Sequence, residues 1–160
     1  MRQMLDNLLA GARPDLNTLT WAFGEAVPAL RRLKDTPQDP EWHAEGDVYT
    51  HTDMVLDELY RSFVTDIGKS IPSVVQRELI LGALFHDVAK PWTTKRMEIR
   101  GVERVAAPRH EAQGRSLIAP ILVDSGLSWE SLWHVMGIVG CHQEPKLLVV
   151  KDKPPGEYKR

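Results

Sequence analysis

The chain has 160 residues, enough for one domain with a sizeable core, and its 42% hydrophobic and 26% charged content is ordinary for a globular fold. A formal net charge of -2 excludes a global pull toward nucleic acid or anionic membrane, so any phosphate contact must be local. A lone cysteine excludes an internal disulfide, no stretch reaches the roughly 20 apolar residues of a membrane span, and the N-terminus lacks a long apolar signal core, so a cytoplasmic protein without membrane partners is expected.

In chain order, Met4, Leu5, Leu8 and Leu9 recur at helical spacing over residues 2–10, closed by Gly11 and Pro14. Leu16, Leu19, Phe23, Val27 and Leu30 predict a second amphipathic helix over 15–33, kinked at Pro28. The proline- and acid-rich stretch 35–47 reads as a loop. Thr50 and Asp53 resemble a capping box for a helix carrying Val55, Leu56, Leu59 and Phe63. The most apolar helix is predicted over 73–87, ending before Pro91. Residues 93–108 alternate loosely around Arg100-Gly101 and predict a loop or small hairpin. Helical periodicity returns over 109–124, strained by Pro120, and Ser128 caps a last helix over 129–142. The tail 146–160 has a short apolar run and no core-forming pattern. The fold class is all-α.

Four histidines mark element ends: His51 opens one helix, His86 closes the most apolar one, and His110 and His142 bound the last two. A histidine at a helix end is more often a cap or core residue, and a His-Asp dipeptide occurs by chance in many chains. Adjacent residues at a helix end, however, can both turn toward one point as the backbone leaves its regular geometry. A neutral imidazole beside a carboxylate suits a divalent ion such as Mn, Ni, Co, Fe, Zn or Mg. His51, His86 and Asp87 would hold one ion, and His110 with His142 would supply ligands for a second.

Taken together, HAEGDVYTHTDMVLDEL, LGALFHDVAKP, RHEAQG and VGCHQEP resemble, in order, the motifs of the HD superfamily of metal-dependent phosphohydrolases. The likeness is to the branch found in tRNA nucleotidyltransferases and in bacterial RNA end-healing proteins that join an HD module to a polynucleotide kinase. It covers roughly residues 40–146 of a single HD-type domain spanning 1–160. The resemblance implies a helical bundle, with one short hairpin or loop near 94–106, and a metal set of His51, His86, Asp87, His110 and His142. It also implies that Lys90 and Asp87 act in catalysis, Lys90 near the scissile phosphate. The substrate implied is a phosphomonoester or cyclic phosphodiester on a nucleotide or RNA end, such as a 2′,3′-cyclic phosphate or a 2′-phosphate. A nucleotide phosphohydrolase, and an HD-fold nucleic-acid-binding or regulatory module with impaired catalysis, are the alternatives.

The chain departs from the family at one point. The family completes its metal site with an aspartate well beyond the position of His142, and here only Asp152 follows. That departure is expected to reflect a chain that is the front part of a longer protein. Among weaker candidates, His43, Arg109 and Arg115 are expected to reach substrate, with Glu45 and Asp47 at the pocket edge. A basic group of Lys95, Arg96, Arg100, Arg104, Arg109 and Arg115 is a candidate phosphate cradle. Trp42 and Trp92 are the candidate stacking residues, whereas Trp21, Trp129, Trp133 and Cys141 are expected in the core and His134 in a structural role. Oligomeric state is not legible.

Overall fold

The computed structural model describes residues 1–145; Asp152, and with it the expected departure at the final ligand, lies outside the described residues. The all-α expectation holds. Helices α1 (Arg2–Leu9), α2 (Leu16–Phe23), α3 (Val48–Phe63), α4 (Asp66–Lys69), α5 (Ser73–Phe85), α6 (Lys90–Thr93), α7 (His110–Val123) and α8 (Trp129–Cys141) are joined by one 3-10 helix, Pro28–Asp35. A two-stranded antiparallel hairpin, β1 (Lys95–Ile99) and β2 (Val102–Ala106), stands between α6 and α7. Arg100 and Gly101 form its tight turn with positive φ of 53° and 80°, the backbone that matches the twist of paired strands.

Helix α5 is the axis of the bundle. From Ile80 to Phe85 every residue is buried, which is why its sequence is apolar all round rather than striped. Helices α1, α3 and α8 pack on it, and α7 packs on α8. Phe85 meets Phe23 edge to face, with ring centroids 5.7 Å apart, tying α5 to α2. Close approach of α8 depends on Gly82. A Cβ there would lie 2.5 Å from Cγ2 of Ile138, so a larger residue forces that side chain out of its present place between α5 and α8.

Several local expectations are corrected. The second helix is not one kinked rod: α2 ends at Phe23, and Pro28 opens the separate 3-10 helix, where its missing N–H costs nothing. Helix α3 begins at Val48 rather than at Thr50, because Asp47 is its cap, accepting from the Thr50 amide at 2.8 Å. Pro91 does not merely follow a helix; it sits in the first turn of α6, which carries Lys90 at its start. Trp21, Trp129 and Trp133 are exposed at 84%, 67% and 47%, so the core expectation for them fails. On α8 the inward face is taken by Leu132, Val135 and Val139, which turns Trp129, Trp133 and the exposed Cys141 outward.

Gly82→Val is expected to destabilise the fold by about 1–3 kcal/mol through overpacking against Ile138. Chemical denaturation checks this, and unchanged stability would show that α5 and α8 do not depend on that contact.

Candidate metal centre

Three helix ends build most of the site by one device. His86 follows the last turn of α5 and donates from Nδ1 to the Ala83 carbonyl at 2.8 Å. His142 follows the last turn of α8 and donates to the Val139 carbonyl at 2.9 Å. His110 opens α7 and donates to the Ala107 carbonyl at 2.7 Å. A carbonyl oxygen only accepts, so each Nδ1 carries a proton, and in the neutral ring each Nε2 presents a lone pair. Carbonyls at the ends of α5 and α8 have no partner inside the helix, so the imidazole satisfies them while it is being aimed. Gly114, one turn into α7, lets that helix close on α8: a Cβ there would lie 3.3 Å from Val139 Cγ1. Arg109, just before His110, takes a left-handed conformation at φ 61°, which bends the chain into α7.

His51, in the first turn of α3, is anchored differently. Its Nδ1 donates to the Glu45 carboxylate at 2.6 Å, and Glu45 also accepts from His43 Nδ1 at 3.0 Å. The cluster of His43, Glu45 and His51 is a candidate metal group by distance. Its hydrogen bonds make it a support for His51 instead, since both imidazoles spend their Nδ1 protons on one oxygen.

All four Nε2 atoms face Asp87, which is 2% exposed. Its Oδ2 lies 3.2 Å from His86 and 3.8 Å from His51, while its Oδ1 lies 3.0 Å from His110 and 3.7 Å from His142. His110 and His142 bring their Nε2 atoms within 3.2 Å of each other. The carboxylate thus bridges two half-sites, His51–His86–Asp87 and Asp87–His110–His142. Lys90 Nζ stands 2.7 Å from Oδ2 and donates to Gln38 Oε1 at 2.5 Å.

The electrostatics favour a cation. Neither Asp87 oxygen accepts a well-formed hydrogen bond, although both are buried. Burial raises the cost of the Asp87 charge, yet His86, His110 and Lys90 hold its carboxyl well below the usual range. Burial also works against a charged His86, but the Asp87 charge outweighs it and the imidazole is raised. Burial dominates at His51 and His142, which are lowered and so favour the neutral, ligating form. Lone pairs of His110, His142 and Asp87 that point at one another at these distances repel unless a positive charge lies among them. Imidazole nitrogens with a carboxylate are a donor set for a borderline divalent ion, and the residues present fit one in each half.

One stretch of 100 residues is 31% identical to a Multifunctional CCA protein of Cupriavidus metallidurans. It takes in 62% of this chain and spans 20%, about one fifth, of that protein's length. No family model and no solved structure matches the chain.

Beside the centre opens a cleft of about 480 Å³. His43, Lys90, Arg109 and His110 line it, together with Trp42 and Gln143. Arg115 is not on its walls: its guanidinium lies over Trp133, 5.8 Å from the ring centre, on the outer face of α7 and α8. The basic group is dispersed. Arg96 pairs with Glu103, Arg104 is held by Asp39 and Glu41, and Lys95 and Arg96 border a second hollow beyond Thr94. Trp92 is exposed and does not line the cleft. His134 bonds to the buried Glu78 at 2.9 Å, joining α8 to α5 as a structural residue. Gln38 and Asp39 were missed from sequence. Both sit in an aperiodic loop whose partners, Lys90 and Val105, lie 52 and 66 residues away.

Glu45→Ala is expected to weaken divalent-metal binding by about 10–100-fold, because it frees His51 to rotate and removes the carboxylate behind its imidazole. Titration calorimetry with Mn, alongside an unchanged circular dichroism spectrum, checks this; unaltered metal affinity would show that Glu45 does not orient the ligand.

Proposed function

We propose that this chain is an HD-type, metal-dependent phosphohydrolase acting on a phosphomonoester or cyclic phosphodiester carried by a nucleotide or RNA end. The observation that supports it most directly is the pair of half-sites on Asp87, where anchored imidazoles converge on one buried carboxylate. Similarity to a Multifunctional CCA protein supports a nucleotide-processing role, though the match covers one fifth of that protein.

In this reading His51, His86, Asp87, His110 and His142 hold one or two divalent ions. A bound divalent ion polarises a phosphoryl oxygen and lowers the pKa of coordinated water toward neutrality. The chain's own residues supply the rest. Asp87 is common to both half-sites and would hold whatever ions they bind through its two carboxylate oxygens. Lys90, fixed by Gln38 at the wall of the cleft, offers a positive charge to the phosphate as its negative charge grows. His43 and Arg109 line the same wall, and we assign them to the substrate's phosphate oxygens. The position of Arg115 over Trp133 argues against a direct substrate contact for it.

Purified protein is expected to contain bound transition metal and to hydrolyse a 2′,3′-cyclic nucleotide or a nucleoside monophosphate with added Mn, Ni or Co. His86→Ala and Asp87→Ala should each reduce turnover to background, because each removes a direct ligand. Retained turnover in both variants, or a wild-type chain free of metal and inert on every substrate, would falsify the hydrolase.

A further inference from the structure

The cleft holds a feature that the metal centre does not explain. Trp42 lies on its wall with 49% of its surface exposed, next in sequence to His43. A solvent-facing indole is usually part of a mobile loop or of an incidental patch. This one is on a loop pinned throughout its length. Pro37 bridges Asp47, the Gln38 amide donates to the Gly46 carbonyl at 2.9 Å, and the Trp42 and His43 amides both donate to the Asp39 carbonyl. The Asp39 side chain then accepts from the Val105 amide at 3.1 Å, fastening the loop to β2.

The indole itself is braced. Arg104 lies over the ring, 5.3 Å from its centre, and both Asp39 and Glu41 hold the guanidinium in place. A ring supported by a cation and still half-exposed is a preorganised π-surface. Lys90 and His110 line the same cleft, so one cavity of about 480 Å³ is bordered by a lysine, a histidine of the Asp87 cluster and the indole. That volume falls within the range of small-molecule sites.

We infer that Trp42 is the nucleobase platform of this cleft, and that the ligand is a base-bearing phosphoester whose base stacks on the indole while its phosphate lies toward Lys90. The inference rests on the proposed phosphoester chemistry of the site and adds the residue that recognises the base. Stacking on an aromatic face tolerates any base, so the platform selects nucleotides over sugar phosphates without selecting among bases.

Binding rather than turnover tests this, with the full chain, by titration calorimetry, in EDTA and again with Mn. The probes are adenosine 5′-monophosphate and ribose 5-phosphate. Wild-type protein should bind the nucleotide about tenfold more tightly than the sugar phosphate, the scale of one base–aromatic stack. Trp42→Ala should abolish that difference and leave ribose 5-phosphate affinity and Mn content unchanged, and Trp42→Phe should keep most of it. Equal affinities in the wild type, equal losses for both probes in Trp42→Ala, or an unaltered nucleotide affinity would each overturn the platform. A chain that binds the nucleotide through Trp42 but hydrolyses nothing would remove the hydrolase and leave this inference standing.

Discussion

A single buried carboxylate organises this protein. Asp87 lies just past the end of the most apolar helix, 2% exposed, with four imidazoles around its two oxygens and an ammonium at 2.7 Å. An isolated buried charge of this kind is costly, and it persists only where cations or ionic ligands surround it. The bundle is arranged to surround it. Helix α5 delivers Asp87 itself, while α3, α7 and α8 each direct a histidine at it. Gly82 and Gly114 allow the helices to approach closely enough for those imidazoles to meet.

The anchors divide into two kinds, and the division has consequences for the site. His86, His110 and His142 are oriented by backbone carbonyls three residues earlier, so their aim is part of the helix ends themselves. His51 is oriented by Glu45, from the loop that also holds Lys90 through Gln38 and carries Trp42. One half-site is therefore built into the helical frame, and the other is coupled to the wall of the cleft. A change in that loop would be felt by the His51 half before the His110 half.

Much of this was legible in the sequence, for physical reasons that differ from residue to residue. A long apolar run marks α5, the Ser128 cap marks α8, and Arg100-Gly101 marks the hairpin because its turn needs positive φ. The ordered histidines and Asp87 lie together around one point, as their motif order suggests. Local chemistry without a period was not legible. Asp47, rather than Thr50, caps α3, and the roles of Gln38, Asp39 and Glu45 depend on partners brought together only by the fold. The tryptophans mislead for the opposite reason: size and apolarity suggest a core, but Leu132, Val135 and Val139 already fill the inward face of α8.

The most direct test is to place the ion. Crystals grown with Mn should give anomalous peaks within about 2.0–2.3 Å of the imidazole nitrogens, beside Oδ2 and Oδ1 of Asp87. At least one peak, with His86 or His110 among its ligands, is the expected result. Asp87 bonded only to protonated imidazoles and Lys90, with manganese absent from both half-sites, would contradict the metal centre on which the proposed chemistry rests.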